Sequence, residues 1–525
     1  MEPIELYDTT LRDGAQTWGI NFSLDDKLRI AQKLDEIGVD LIEGGYPGSN
    51  PKDRKFFKQV RERSLSHARV VAFGSTCRPE LPPEKDPQIR ELIASGAELV
   101  TIVGKSWDLH VREIFCTTKH RNLEMIKDSV AYLKNHFSRV IFDAEHFFDG
   151  FKSDPEYALE TLRAASAGGA EGLVLCDTNG GNLPWQITEI IRTVKEAIPG
   201  KIGIHAHNDS DTAVASTLES VNAGAVHVQG TINGIGERCG NANLISVIAG
   251  LAVKMQRIQM TPERLGKLKH VSEFVWEMAN RTPQRSQPYV GASAFAHKGG
   301  LHTSAVIKNT LAYEHVPPEM FGNVRSFPIS DQAGRAAMVH KAAQYGIELT
   351  PDDPRVTEIL KTIKDMEARG ATYDMAEGSF CLLMKRMLGR HKKFFTLHGF
   401  QVGNSKREGD TRTFSEAIVR ILVGDKMQFS AAEGNGPVNA LDSALRKALE
   451  NFYPIVREVE LTDFKVRVLE GTSGTGATVR VLIESTDGHE TWWTAGFSTN
   501  VIQASWEALV DSIDYKLQKD LAGNP

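Results

Sequence analysis

The segment His205-Ala206-His207-Asn208-Asp209 sets two imidazoles two residues apart at the end of an apolar run. In an extended strand, side chains at i and i+2 share a face, so both rings converge on one metal ion. Taken alone, a His-x-His pair is more often structural than ligating. A second feature shifts that balance: Asp8-Thr9-Thr10-Leu11-Arg12-Asp13-Gly14 follows another strand-like run and brings carboxylates and an arginine to the same kind of position. One carboxylate with two neutral imidazoles leaves coordination positions open on a divalent ion, the arrangement of a Lewis-acid catalyst. Arg12 suits an oxygen that turns negative during reaction, and a salt bridge to Glu43 is the alternative reading of the same side chain. Glu145, in Asp143-Ala144-Glu145-His146, is a candidate general base or substrate-holding carboxylate. Thr178, in Cys176-Asp177-Thr178-Asn179-Gly180, offers a hydroxyl to a substrate carboxylate.

These residues need a scaffold that gathers the ends of many strands. The first half of the chain repeats a short apolar run, a polar loop and a helical stretch. Strands are predicted over residues 4–7, 41–44, 70–74, 99–103, 140–144, 172–176, 201–204 and 226–229. Helical patterns lie between them, such as Ser23–Ile37 behind a Ser23 N-cap and Pro184–Ala197 with proline in its first turn. Eight parallel strands joined by crossover helices make a (β/α)8 TIM barrel, which places chemistry at the C-terminal strand ends. An open doubly wound sheet is the alternative, but nothing marks a reversal of strand order.

After the eighth strand comes Asn233-Gly234-Ile235-Gly236-Glu237-Arg238-Cys239-Gly240-Asn241. A dinucleotide fingerprint would need its third glycine at Cys239, and the run follows the last strand of a barrel, so a Rossmann site is excluded. The glycines are expected to let backbone approach a ligand. The chain contains no phosphate loop, HExxH or GxSxG motif, which argues against kinase, zinc-protease and serine-hydrolase classes.

The barrel is assigned to residues 1–258. Residues 259–393 read as a connector of loops and helices, including Asp353–Ala368 and Met375–Leu388. The basic run Arg390-His391-Lys392-Lys393 is read as a solvated linker. Residues 394–525 carry an internal duplication: Ala417-Ile418-Val419-Arg420-Ile421-Leu422 recurs as Ala477-Thr478-Val479-Arg480-Val481-Leu482, and a helix after Asn439 has a counterpart after Asn500. Each unit reads as strands followed by one helix, giving an α+β domain with a pseudo-repeat. On the repeat alone, dimerisation without a ligand is the favoured role.

With 525 residues, two to four domains are expected. Lys+Arg number 61 against 67 Asp+Glu, a net charge of −6, which speaks against a nucleic-acid-binding surface over the whole molecule. The five cysteines are odd in number and show no CxxC spacing, so a reducing compartment is expected. The N-terminus has no signal-peptide pattern and no apolar run is long enough to span a bilayer, so the expectation is a cytoplasmic protein with no membrane partner.

Together, Leu11-Arg12-Asp13-Gly14-x-Gln16, His205-x-His207-Asn208-Asp209 and Asn233-Gly234-x-Gly236-Glu237-Arg238-x-Gly240-Asn241 resemble the DRE-TIM metallolyase superfamily. Over nearly its whole length the chain resembles the 2-isopropylmalate, homocitrate and citramalate synthase branch. Gly434-Asn435-Gly436-Pro437-Val438 and the duplicated tail are similar to that branch's allosteric domain. The segments 45–53 and 143–150 look most like citramalate synthases, although Asp143 and its neighbouring aromatics depart from the apolar strand-5 pattern of some of them.

The resemblance implies Asp13, His205 and His207 as metal ligands, with Asn241 a further ligand in some members. It implies Arg12 on the ketone oxygen, with Glu43 in the substrate site, and Thr178 on the 2-oxoacid carboxylate. Glu145 matches a catalytic or substrate-orienting glutamate, and His302 and Tyr313 a pair near the acyl-CoA. Either Glu145 or that pair supplies the base. The implied reaction is condensation of acetyl-CoA with a 2-oxoacid, expected to be pyruvate, followed by thioester hydrolysis. Mixed nitrogen and oxygen ligands suit Mn2+ or Zn2+, with Mg2+ a further alternative. A homodimer inhibited by isoleucine is implied by the tail. An isopropylmalate synthase, a related lyase and a non-catalytic amino-acid sensor are the rival readings. The allosteric-type tail counts against the lyase, and the intact Arg12, Asp13, Glu145, His205 and His207 count against the sensor.

Overall fold

The computed structural model describes residues 2–63, 65–406, 413–469 and 476–521. Two compact units divide the chain: Met1–Phe295 with Pro317–Val324, and Ala296–Val316 with Arg325–Pro525.

The first unit is a closed barrel of eight parallel strands in sequence order. They are β1 (Glu5–Asp8), β2 (Leu41–Gly45), β3 (Arg69–Ser75), β4 (Leu99–Lys105), β5 (Arg139–Glu145), β6 (Gly172–Asp177), β7 (Ile202–Ala206) and β8 (His227–Gly230). β8 closes on β1 with Glu5 opposite His227. The expected TIM barrel is therefore present, and the open-sheet alternative falls. The first crossover helix, Leu24–Glu36, starts on a capping box in which the Ser23 hydroxyl accepts from the Asp26 N–H and the Asp26 carboxylate accepts from Ser23 N–H at 2.7 Å. Leu28, Ala31 and Leu34 bury its inner face. Pro184–Ala197 carries its proline in the first turn, where the missing N–H costs nothing.

All eight strands differ from the sequence pattern by one or two residues at an end, and three of these shifts bear on the candidate site. β4 and β5 run on to Lys105 and Glu145, because those two polar residues keep pairing with each other across the sheet. β7 begins at Ile202 and extends through His205 to Ala206. Glu145 thus closes β5, where the sequence suggests a loop position, and His205 lies within its strand.

In the second unit, the helices Arg335–Gln344, Pro354–Ala368 and Glu377–Met387 pack around Met338, Ile359, Ile363, Phe380 and Met384. The C-terminal part holds two three-stranded antiparallel sheets, ordered β11-β10-β9 and β12-β13-β14. Their strands are β9 (Thr396–Ser405), β10 (Phe414–Val423), β11 (Lys426–Gly434), β12 (Glu460–Val468), β13 (Val479–Thr486) and β14 (Thr491–Ser498). A helix follows each sheet, Pro437–Leu449 and Val501–Asp520. The duplication is real: Val419 and Ile421 of one repeat and Val481 and Ile483 of the other bury into one core with Leu445 and Leu509. The first repeat's helix starts at Pro437, two residues before Asn439, since proline suits its first turn. The second starts after Asn500 as expected, with the Asn500 side chain accepting from Ile502 N–H. Among the described residues no helix is long and apolar enough to cross a membrane.

Candidate active site

Alternation along each strand builds the barrel interior in layers. Tyr7, Leu41, Val71, Leu99, Ile141 and Val174 form a buried layer. Two residues further on, the same inward face of the strands becomes polar with Glu43, Thr101 and Asp143, and β7 and β8 add His205 and Gln229 opposite one another. The Tyr7 hydroxyl rises from the layer below to donate to Glu43 Oε2 at 2.6 Å and lies 2.9 Å from the Thr101 hydroxyl.

Above this layer, at the C-terminal mouth, the loop after β1 winds tightly. The backbone N–H groups of Arg12, Asp13 and Gly14 all donate to the Thr9 carbonyl, at 2.8–3.2 Å. This turn aims Asp13 at His205, whose Nε2 lies 3.1 Å from Asp13 Oδ2. His205 Nε2 and His207 Nε2 are 3.3 Å apart. The ligand atoms of Asp13, His205 and His207 all lie within 4.8 Å of one another, and all three residues are buried. Asn241 joins them from the loop after β8 through a backbone bridge to His207. Its amide Nδ2 is 2.9 Å from Asp13 Oδ2 and 3.1 Å from His205 Nε2. The glycines of this loop make room for Asn241: a Cβ at Gly236 would collide with Asn241 Oδ1, and one at Gly240 with the Gly234 carbonyl.

The electrostatics suit a cation. Burial works against the Asp13 carboxylate, but Arg12 and His205 outweigh it and hold the carboxyl well below its usual range. Burial likewise disfavours charge on His205, yet the hydrogen bond it donates to the Asp13 carboxylate raises its pKa. Burial and the neighbouring His205 push His207 down to about 4, so its imidazole is neutral at pH 7. His207 Nδ1 and Asn241 Oδ1 are buried without a hydrogen-bond partner. A buried carboxylate and two imidazoles form a donor set that fits a divalent ion.

Arg12 does both things expected of it. Its Nε donates to Glu43 Oε1 at 2.5 Å, its guanidinium carbon lies 3.9 Å from the Phe73 ring centroid, and Nη1 is 3.5 Å from Asp13 Oδ1. Glu145 pairs with Lys105. The Thr178 hydroxyl accepts from the His146 N–H at 2.9 Å, which leaves its own proton free to donate. Arg238 ties the loops together by donating to the Thr178 carbonyl and forking onto Asp209. His302 and Tyr313 belong to the second unit. There, the helix Gly300–Lys308 and the turn after it stack the two rings at 4.1 Å between centroids.

Tyr7, Phe73, Lys105 and Gln229 were not singled out from the sequence. Gln229 carried one usable signal, its i+2 spacing from His227 in a strand due to pair with the His-x-His strand.

A closed parallel barrel with Asp13, His205 and His207 at its C-terminal mouth is an HMGL-like domain, and that family's model matches residues 3–275. A homocitrate synthase post-HMGL domain-like region follows at residues 289–371, and a LeuA allosteric (dimerisation) domain at 374–517. The whole chain belongs to the (R)-citramalate synthase family. It is 52% identical over 519 residues to the (R)-citramalate synthase of Geobacter sulfurreducens, covering 99% of this chain and 98% of that protein. The Aquifex aeolicus (R)-citramalate synthase is 52% identical over 520 residues, with the same coverage of both chains. A probable 2-isopropylmalate synthase of Methanopyrus kandleri is 29% identical over 514 residues, covering 97% and 98%.

Proposed function

We propose that this protein condenses acetyl-CoA with pyruvate to give (R)-citramalate and CoA, as a step toward isoleucine. Full-length identity of 52% to (R)-citramalate synthases carries this reading. Residues 1–258 act as the catalytic barrel, 259–393 as the connector and 394–525 as the regulatory and dimerisation domain. Five free cysteines, three of them buried, suit a reducing compartment, and we place the protein in the cytoplasm.

Asp13, His205 and His207 hold the divalent ion, Mn2+, Zn2+ or Mg2+. Asn241 adds a fourth ligand when its amide turns Oδ1 inward. The ion, when bound, supplies Lewis-acid polarisation of the 2-oxoacid. Arg12, held by Glu43 and seated over the Phe73 ring, donates to the ketone oxygen as it becomes negative. Thr178 donates its hydroxyl proton to the oxoacid carboxylate. A base, Glu145 or the His302/Tyr313 pair, takes a proton from the thioester methyl, and the resulting carbanion forms the carbon–carbon bond to the ketone carbon. Water then cleaves the thioester, releasing the thiol of CoA.

A thiol-release assay over a panel of 2-oxoacids tests the substrate. Each added methylene costs roughly 1–3 kcal/mol in a pocket that fits the smaller acid. Pyruvate is therefore expected to lead 2-oxobutyrate by about tenfold or more in kcat/KM, with 2-oxoisovalerate lower still. A preference for 2-oxoisovalerate would make this chain an isopropylmalate synthase, the reading to which the Methanopyrus relative points.

The LeuA allosteric (dimerisation) domain match supports an effector acting through the tail, and we take isoleucine as that feedback inhibitor. Allosteric coupling of this kind amounts to about 1–3 kcal/mol, or roughly 5–150-fold in affinity. Calorimetry on the full chain is expected to show isoleucine binding, and a chain ending at Lys393 is expected to lose inhibition. Lack of both binding and inhibition across leucine, valine and isoleucine would leave the tail a dimerisation domain only.

A further inference from the structure

A continuous line of hydrogen bonds runs through the barrel interior beneath the site. At the bottom, Arg139 Nη2 donates to Glu5 Oε2 at 2.7 Å, and His227 Nδ1 lies 2.7 Å from the same oxygen. Because the Glu5 carboxylate only accepts, His227 carries its proton on Nδ1 and presents Nε2 as an acceptor. Gln229 Nε2 sits 3.3 Å from that nitrogen and donates to Asp143 Oδ1 at 3.1 Å. The two amide protons are then both spent. Gln229 Oε1 is left facing His205 Nδ1 at 2.8 Å. An amide oxygen only accepts, so His205 carries a proton on Nδ1, and Nε2, beside Asp13 and His207, is the nitrogen that a divalent ion would take.

We infer that Gln229 is a positioning residue that fixes the tautomer and ring orientation of His205 for metal binding, with Asp143 and His227 setting which way the Gln229 amide points. The inference rests on the reading that Asp13, His205 and His207 hold a divalent ion. Reversing the amide would turn its oxygen toward the lone pair of His227 Nε2 and toward Asp143 Oδ1, so those two neighbours oppose it. Gln229 and Asp143 are both buried, and no competing partner reaches the amide from solvent. This gives Asp143, the polar departure within strand 5, a defined task.

The test is Mn2+ binding to the full-length protein, measured by calorimetry and by the spin-resonance signal of free Mn2+. Gln229→Met keeps length and shape but removes the acceptor, and is expected to weaken Mn2+ binding by about 10–100-fold. Gln229→Glu/Asp143→Asn keeps an acceptor against His205 Nδ1 and returns an amide donor to the neighbouring position, and is expected to recover most of that loss. Mn2+ binding by Gln229→Met within threefold of the unaltered chain would overturn the inference while leaving the metal site standing. So would an equal loss in both variants. An unaltered chain that binds no Mn2+ would overturn the metal reading and this inference together. A measurement that needs no Gln229 variant is the 15N-histidine spectrum of the Zn2+-loaded full chain, with His205 assigned by its loss in His205→Gln. A proton on Nδ1 supports the inference, and a proton on Nε2 overturns it.

Discussion

Replacing both imidazoles, as His205→Ala/His207→Ala, is expected to reduce thiol release from acetyl-CoA and pyruvate by at least about 10³-fold, the equivalent of ~4 kcal/mol of lost transition-state stabilisation. Metal content should fall to background by elemental analysis, because Asp13 alone offers one oxygen where the intact site offers two further nitrogens. The fold should persist. Removing the rings leaves Asp13 beside Arg12, 3.5 Å away, so no buried carboxylate is stranded without a counter-charge. The apolar layer of Tyr7, Leu41, Val71, Leu99, Ile141 and Val174 lies below the site and is untouched. A thermal unfolding midpoint within a few degrees of the unaltered protein would separate loss of the ion from loss of structure. Metal retained in full by the double variant would refute the assignment.

The barrel was legible because each strand is a short apolar run between polar loops, and parallel strands leave few topologies once eight have been counted. Ser23 and Pro184 marked helix starts by chemistry confined to one turn, which is why those boundaries hold. The tail's duplication was legible for a different reason. An Ala-x-Val-Arg-[Ile/Val]-Leu strand has to bury alternate residues against its helix, and both copies do so. What stayed hidden depends on register between strands distant in the chain. Gln229 matters because β8 pairs with β7 so that it faces His205, and Lys105 because β4 pairs with β5 so that it faces Glu145. Neither relation is written in local spacing. The chain's passage between the two units at residues 296–316 and 317–324 is punctuated by Gly299-Gly300 and Pro317-Pro318, but such pairs mark turns and do not say that the chain leaves one unit and returns to it.

Arg12→Lys is expected to lower kcat with pyruvate by about 10²–10³-fold, the usual cost of removing one donor to a developing oxyanion. The substitution keeps the charge, so the size of the loss measures geometry. In the native site the guanidinium satisfies three neighbours at once: Nε donates to Glu43, the central carbon sits over the Phe73 ring, and Nη1 approaches Asp13. Glu43 is itself held by the Tyr7 hydroxyl, which leaves the carboxylate no freedom to follow a shorter partner. Burial opposes the charge on Arg12, but Glu43 and Asp13 raise its pKa further above the usual arginine value, so it cannot act as an acid and serves only as a fixed donor. A lysine ammonium reaching Glu43 gives up the seat over the Phe73 ring and has no second nitrogen to direct at the substrate oxygen. If Arg12 acts on the ketone oxygen only as it becomes negative, kcat should fall far more than KM for pyruvate rises. Mn2+ affinity should change little, because Arg12 is not a ligand. A variant with unchanged kcat and a raised KM would instead make Arg12 a ground-state binding residue, and would move the oxyanion donor elsewhere in the mouth.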